Sequence, residues 1–236
     1  MKKILGFCLV GWCAVSAWGA GAPLLLDAGA LDPSAPTQQK AVQAIRKGAR
    51  AAAVQKLSSK GTAPWLVQFD DVVREEWKSA LEAAGAKIKG YVPENGFLVQ
   101  ATPRQIAAIA ALEPVAYVGE FLPEYKRAAK VRAKLGRVQK GEEADAVSAY
   151  RVLLFAAADR AAIVRRIETL TGAPVAAAVG EMIRADLTAA QVAEVTAWGE
   201  VNWIEPYSPP KKWNDVAVRT NMMNVSNVWN VLGLTG

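Results

Sequence analysis

The sequence predicts an α+β protein: two tandem β-α-β-β-α-β units of about 60 residues each, preceded by an apolar leader and an Ala-rich helix. Three observations predict it. Displaced by 86 residues, the chain aligns with itself without a gap. Within each copy the apolar residues switch between strand and helix periodicity. Helix-start and turn signals separate the resulting segments.

The repeat runs the length of both units. Leu66-Val67-Gln68-Phe69 meets Val152-Leu153-Leu154-Phe155, and Trp77, Leu81 and Ala84 meet Ile163, Ile167 and Leu170. Thr102-Pro103-Arg104-Gln105-Ile106 meets Thr188-Ala189-Ala190-Gln191-Val192, and Tyr117-Val118 meets Trp203-Ile204. Each pair keeps its chemical character, as expected of a duplicated structural unit.

Residues 1–19 read as a signal peptide: Lys2-Lys3, an apolar run from Ile4 to Trp18, then Ala17-Trp18-Gly19-Ala20 for cleavage after Gly19. The run is shorter than the roughly 20 residues that span a bilayer. Export makes the protein secreted or periplasmic. Both cysteines, Cys8 and Cys13, lie in this removable segment, so the mature chain has neither disulfides nor thiolate ligands. Residues 20–61 form a helical N-terminal segment in which Val42, Ile45, Ala49 and Ala52 predict a helix over 37–57.

The first unit spans 62–125. Its run 65–69 predicts a strand, and Asp71 is placed to cap the following helix, whose apolar stripe is Val73, Trp77, Leu81 and Ala84. Strands over 87–92 and 97–101 flank Pro93-Glu94-Asn95-Gly96, in which Asn95-Gly96 supplies the positive φ of a tight hairpin. Thr102 and Gln105 make a capping box, with Pro103 in the first helical turn, and Thr188 and Gln191 repeat the box. Ile106, Ile109 and Leu112 form the buried stripe, and 115–121 the last strand. This order is the ferredoxin-like arrangement, with both helices on one sheet face and the other face left open.

Charge is divided unevenly. The whole chain carries 28 Lys+Arg against 22 Asp+Glu, but the two units, 62–125 and 150–207, are net acidic. The excess lies at 20–61, in a basic stretch 126–149 expected to be a solvated linker, and in the tail from 208. Export, acidic units and the lack of an RNA-binding aromatic pattern argue against a nucleic-acid reader.

Much chemistry is missing. The chain has no histidine, hence no Ser-His-Asp or Cys-His site and no HExxH zinc helix. No serine lies in GxSxG, and GxGxxG, GxxxxGK[ST] and CxxC are absent. The pairs Asp70/Asp71 and Glu75/Glu76 fit helix N-terminal charge better than acid–base work. Trp65, Trp77, Tyr91, Tyr117, Trp198 and Trp203 fall at strand or core positions, and core packing is the favoured role for all six. No catalytic residue, metal ligand or cofactor is expected in this stretch.

The tail, 208–236, carries a resemblance. Asn214-Asp215-Val216-Ala217 through Trp229-Asn230-Val231-Leu232-Gly233-Leu234-Thr235-Gly236 is similar to the opening of a subtilisin-like catalytic domain. In that family Trp-x-x-x-Gly-x-Thr-Gly leads into the strand bearing the catalytic Asp. A leader, two small ferredoxin-like units and this tail resemble the N-terminal pro-region of secreted bacterial subtilisin-like serine proteases. The resemblance implies an intramolecular chaperone and product-like inhibitor whose partner is the catalytic domain of a parent serine endopeptidase. No triad residue maps onto this chain. The second unit, nearer the protease, is expected to dock, with Pro206, Tyr207, Ser208 and Pro209 leading into the substrate cleft and processing falling between 208 and 226. Pro-rich extended backbone suits such a groove as well as it suits an ordinary linker. The alternatives are a free-standing secreted inhibitor and a tandem ligand-sensing module.

Overall fold

The structure, a computed structural model, describes residues 22–47, 58, 60–209 and 230–233. By internal contacts the chain divides into two compact units, 1–206 and 207–236. The first is α+β, with all its named strands paired antiparallel in one two-stranded and two four-stranded sheets. Of the second unit, 207–209 and a helical turn over 230–232 are described.

The first described element is a hairpin that the sequence did not predict: β1 (Leu24–Leu26) pairs with β2 (Gly29–Leu31) around Asp27-Ala28. Three-residue strands give periodicity too few positions to register. Helix α1 (Pro36–Arg46) follows, with Val42 and Ile45 buried. The expected helix over 37–57 therefore ends earlier within the described residues, at Arg46, and 48–57 lie outside them.

The first four-stranded sheet contains β3 (Ala63–Phe69), β4 (Lys87–Val92), β5 (Gly96–Ala101) and β6 (Val115–Glu120), in the spatial order β4-β5-β3-β6. Between β3 and β4 runs α2 (Glu75–Ala83), and between β5 and β6 runs α3 (Pro103–Ile109). Alternation along the strands puts Trp65, Val67, Phe69 and Val99 on one face, in a core with Leu81 of α2 and Ile106 and Ile109 of α3. Buried Trp65 keeps its indole N–H satisfied by donating to the Ala101 carbonyl at 3.1 Å.

Two local expectations are corrected. Asp71 does not cap α2: its carboxylate accepts from the Val72 N–H at 2.7 Å, and Arg74 precedes the helix without a side-chain cap. A short acidic side chain that bonds its neighbour's backbone is not available to the helix. In the β4–β5 turn the positive φ values fall on Glu94 (71°) and Asn95 (60°). Gly96 is instead the first residue of β5, where a Cβ would lie 2.5 Å from Leu24 Cδ2. Its smallness admits the N-terminal hairpin.

The stretch 126–149 is not a solvated linker. Lys126 closes a 3-10 turn and is fully buried, and α4 (Ala129–Gln139) sinks Val131 and Leu135 into the next core. Val131, Leu135 and Val138 recur at helical spacing, but the four Lys and Arg residues of that helix obscure it.

The second four-stranded sheet contains β7 (Ser148–Leu154), β8 (Ala177–Val179), β9 (Met182–Leu187) and β10 (Val201–Pro206), in the order β10-β7-β9-β8. Its helices are α5 (Arg160–Thr171) and α6 (Ala189–Thr196). Numbered by position within each sheet, both have the order 4-1-3-2, and β9 and β10 begin 86 residues after β5 and β6. Tyr150, Val152 and Leu154 of β7 pack with Ile163, Ile167, Val192 and Val195. The two sheets are tied by Lys60–Asp159 at 2.7 Å and by Gln100 Nε2 donating to the Gly199 carbonyl at 3.3 Å.

Candidate functional site

An antiparallel sheet with helices on one face has a second face to account for, and the two sheets do so differently. In the first sheet, Leu66, Tyr117 and Leu98 point away from α2 and α3 and gather with Leu24 and Leu31 of the hairpin and Val42 of α1. Leu24 is 0% and Tyr117 2% exposed. Tyr117 donates its hydroxyl proton to Gln38 Oε1 at 2.9 Å, and Gln68 Nε2 donates to the Ala22 carbonyl at 2.7 Å. Burial raises the Tyr117 phenol well above its ordinary range. The chain's own N-terminal segment occupies this face.

The corresponding face of the second sheet has no such cover among the described residues. Register fixes its members: Leu153 stands across from Trp203 and from Met182, and Arg151 stands across from Glu205 and from Arg184. Ala177 and Val179 extend it onto β8, and Val179 is 69% exposed. None of these side chains is in a buried class. Leu153, Met182, Trp203 and Val179 make an apolar half. The other half is charged: Arg151 pairs with Glu205 at 2.7 Å, and Trp203 Nε1 donates to Glu205 Oε2 at 3.4 Å. An apolar strip bordered by a fixed ion pair can bury area on a partner while the charges set orientation.

Behind this face the sheet is held firmly. The capping boxes repeat: Gln105 N–H donates to Thr102 Oγ1 at 3.3 Å and Gln191 N–H to Thr188 Oγ1 at 3.2 Å, while the glutamine side chains accept from the threonine N–H groups. Asp145 adds a second cap to α6, accepting from the Ala189 and Ala190 N–H groups. Lys126 donates to the Trp198 carbonyl at 2.9 Å. Burial pulls its ammonium down to about 7, partly opposed by the Glu200 charge, with Arg127 pulling further down. Arg166 stacks over the Trp198 ring at 3.9 Å and reaches Glu200 Oε2 at 3.4 Å.

The residues singled out from the sequence are dispersed. Pro206 ends β10 and is exposed, Tyr207 is half-buried, and Ser208 and Pro209 are exposed. Asn95 sits in the β4–β5 turn and Gly96 opens β5, and the four capping residues start α3 and α6. Residues 1–19, expected to be a signal peptide, Pro210 and nearly all of the tail that carries the resemblance lie outside the described residues. Core packing holds for Trp65, Tyr117 and Trp198, but Tyr91 is 60% exposed and Trp203 half-buried. The signal for Trp203 lay in period two: with Ile204 pointing inward, Trp203 and Glu205 must point outward. Among the described residues no group of three or more His, Cys, Asp or Glu side chains is placed to hold a metal ion. Nor is any helix there long and apolar enough to cross a membrane.

A family profile of a domain of unknown function, DUF8729, matches residues 25–122. The match starts inside β1 and ends just past β6, so it takes in the hairpin, α1 and the sheet they cover. No curated protein matches the chain, and no solved structure does.

Proposed function

We propose that this chain is the pro-region of a secreted subtilisin-like serine protease, built from two tandem ferredoxin-like units. It acts as an intramolecular chaperone for the catalytic domain and, after cleavage, as its inhibitor. The 4-1-3-2 strand order of both sheets supports the ferredoxin-like reading. The difference between the sheets carries the functional one. The first sheet's outer face is filled by β1, β2 and α1, whereas the second presents Leu153, Met182, Trp203 and the Arg151–Glu205 pair. The second unit therefore docks, and the first braces it. Strand β10 belongs to the docking sheet and runs directly into the Pro-rich segment proposed for the substrate cleft. A template of this kind lowers the barrier for a protease domain rich in non-local pairings.

Mixing the full chain with a bacterial subtilisin tests the proposal. Slow, saturable inhibition is expected, together with faster refolding of the acid-denatured protease. The variants Trp203→Asp and Leu153→Asp, which leave both cores untouched, should lose both effects while keeping the wild-type circular dichroism. Absence of both effects with the unaltered chain, or inhibition indifferent to both substitutions, refutes it.

A further inference from the structure

A cleft of about 540 Å³ opens where the β1–β2 turn, the β4–β5 turn and strand β10 converge. That volume is in the range of pockets that enclose a side chain or small ligand, roughly 300–1,000 Å³. Its walls are largely aromatic and aliphatic, with Tyr91, Tyr125, Trp203, Leu25 and Leu153 among them. Two of the large apolar side chains left in solvent, Leu25 at 52% and Tyr91 at 60%, stand here. Contiguous exposed apolar surface of this kind marks a contact site.

The charge of the cleft selects what enters. Among the described residues Asp27 is the only charged one lining it, and no described side chain pairs with its carboxylate. Arg132 reaches the same turn, giving Nη2 to the Asp27 carbonyl at 2.9 Å and Nη1 to the Arg127 carbonyl, and forms no ion pair with the carboxylate. Tyr125 contributes a neutral ring: burial, with the Glu124 charge, raises its phenol above the ordinary value.

We propose that this cleft binds an arginine or lysine side chain presented by an extended partner peptide. The aliphatic stem lies among Leu25 and the rings of Tyr91, Tyr125 and Trp203, and the cationic head faces Asp27. Aromatic faces attract cations through their quadrupole, and long basic side chains bury their methylenes while the head stays polar. An acidic or purely apolar peptide would leave the carboxylate repelled or unmatched. The inference does not rest on the pro-region reading, because it concerns the chain alone.

Titration of the full chain with the probe Ac-Leu-Arg-Leu-NH2, followed by calorimetry and by the Trp203 indole resonance, tests it. Saturable binding is expected, weakening as salt rises, with the glutamate and norleucine counterparts binding roughly tenfold or more weakly. Asp27→Asn should weaken the arginine peptide about threefold to fivefold, and Tyr91→Ala several-fold. Asp27 is exposed, and circular dichroism checks the fold of Tyr91→Ala, which gives up an edge contact with Phe97 and the bond its hydroxyl accepts from the Asn95 N–H. No saturable binding, equal binding of the three peptides, or an Asp27→Asn variant that binds like wild type overturns the proposal. No protease is present in the assay, so this failure is distinct from failure of the inhibition test.

Discussion

Replacing Lys126 by methionine should make the second core more stable at neutral pH and remove most of a pH dependence. The ammonium is fully buried and has one hydrogen bond, to the Trp198 carbonyl, with Glu200 too weak an opposing influence to restore its ordinary basicity. In the unfolded chain it titrates near 10.5, and in the folded protein at about 7. Between those values the unfolded state holds one proton more than the native state, so stability rises with pH by up to about 1.4 kcal/mol per unit. Below about pH 7 both states are protonated and the penalty, about 5 kcal/mol at its upper limit, is constant. Methionine removes that penalty and takes from the Trp198 carbonyl one of its two hydrogen bonds, the one from the Val201 N–H at 3.3 Å remaining, at a cost of about 1 kcal/mol. The net expectation is a gain of about 3–4 kcal/mol at pH 7, shrinking as pH rises toward a crossing near about pH 10. Urea unfolding followed by tryptophan fluorescence from pH 6 to 9.5 measures it. That range stops short of the pH at which the buried Tyr117 phenol, raised in the folded state, begins to lower stability. A variant whose difference from wild type stays constant across the range refutes the reasoning.

Gly96→Ala should destabilise the first sheet by about 1–3 kcal/mol, because its Cβ would meet fully buried Leu24 at 2.5 Å and the Val92 carbonyl at 3.1 Å. A double-mutant cycle with Leu24→Ala should show coupling, and strict additivity would sink the account. Thr102→Ala and Thr188→Ala should each cost about 1 kcal/mol in urea unfolding, with Thr188→Ala the milder since Asp145 also caps α6. Asp145→Ala in the Thr188→Ala background should then cost more than either alone, and hydrogen exchange at Ala189 and Ala190 reports where. Deleting the β1–β2 hairpin should uncover Leu66 and Tyr117, read as increased binding of an apolar dye; unchanged dye binding contradicts the cover assigned to the hairpin.

The unequal sheets bear on why a duplicated unit would be kept. The copies repeat strand order and capping boxes, yet their outer faces differ because the sequence outside the repeat differs. The first copy closes its face with β1, β2 and α1, while helix α4 packs with the second copy's helix-side core and leaves the opposite face alone. A pair so arranged has one outer face filled and, among the described residues, one bordered only by the cleft at Leu153 and Trp203, which is the division of labour the pro-region proposal uses.

The residues alone determined whatever depends on local chemistry or on periodicity over several turns. Thr102, Gln105, Thr188 and Gln191 are readable as caps because a capping box is closed within four residues, and the β4 and β5 strands because a turn signal lies between them. The 86-residue recurrence was likewise visible without coordinates. Only the tertiary structure decided what meets across distance: that Gly96 makes room for Leu24, that Lys126 is buried under Trp198, and that Trp203 and Tyr91 face a cleft with Asp27. The physical reason is that burial belongs to pairs of elements, and a sheet's two faces have equal claims on a partner until the rest of the chain covers one of them.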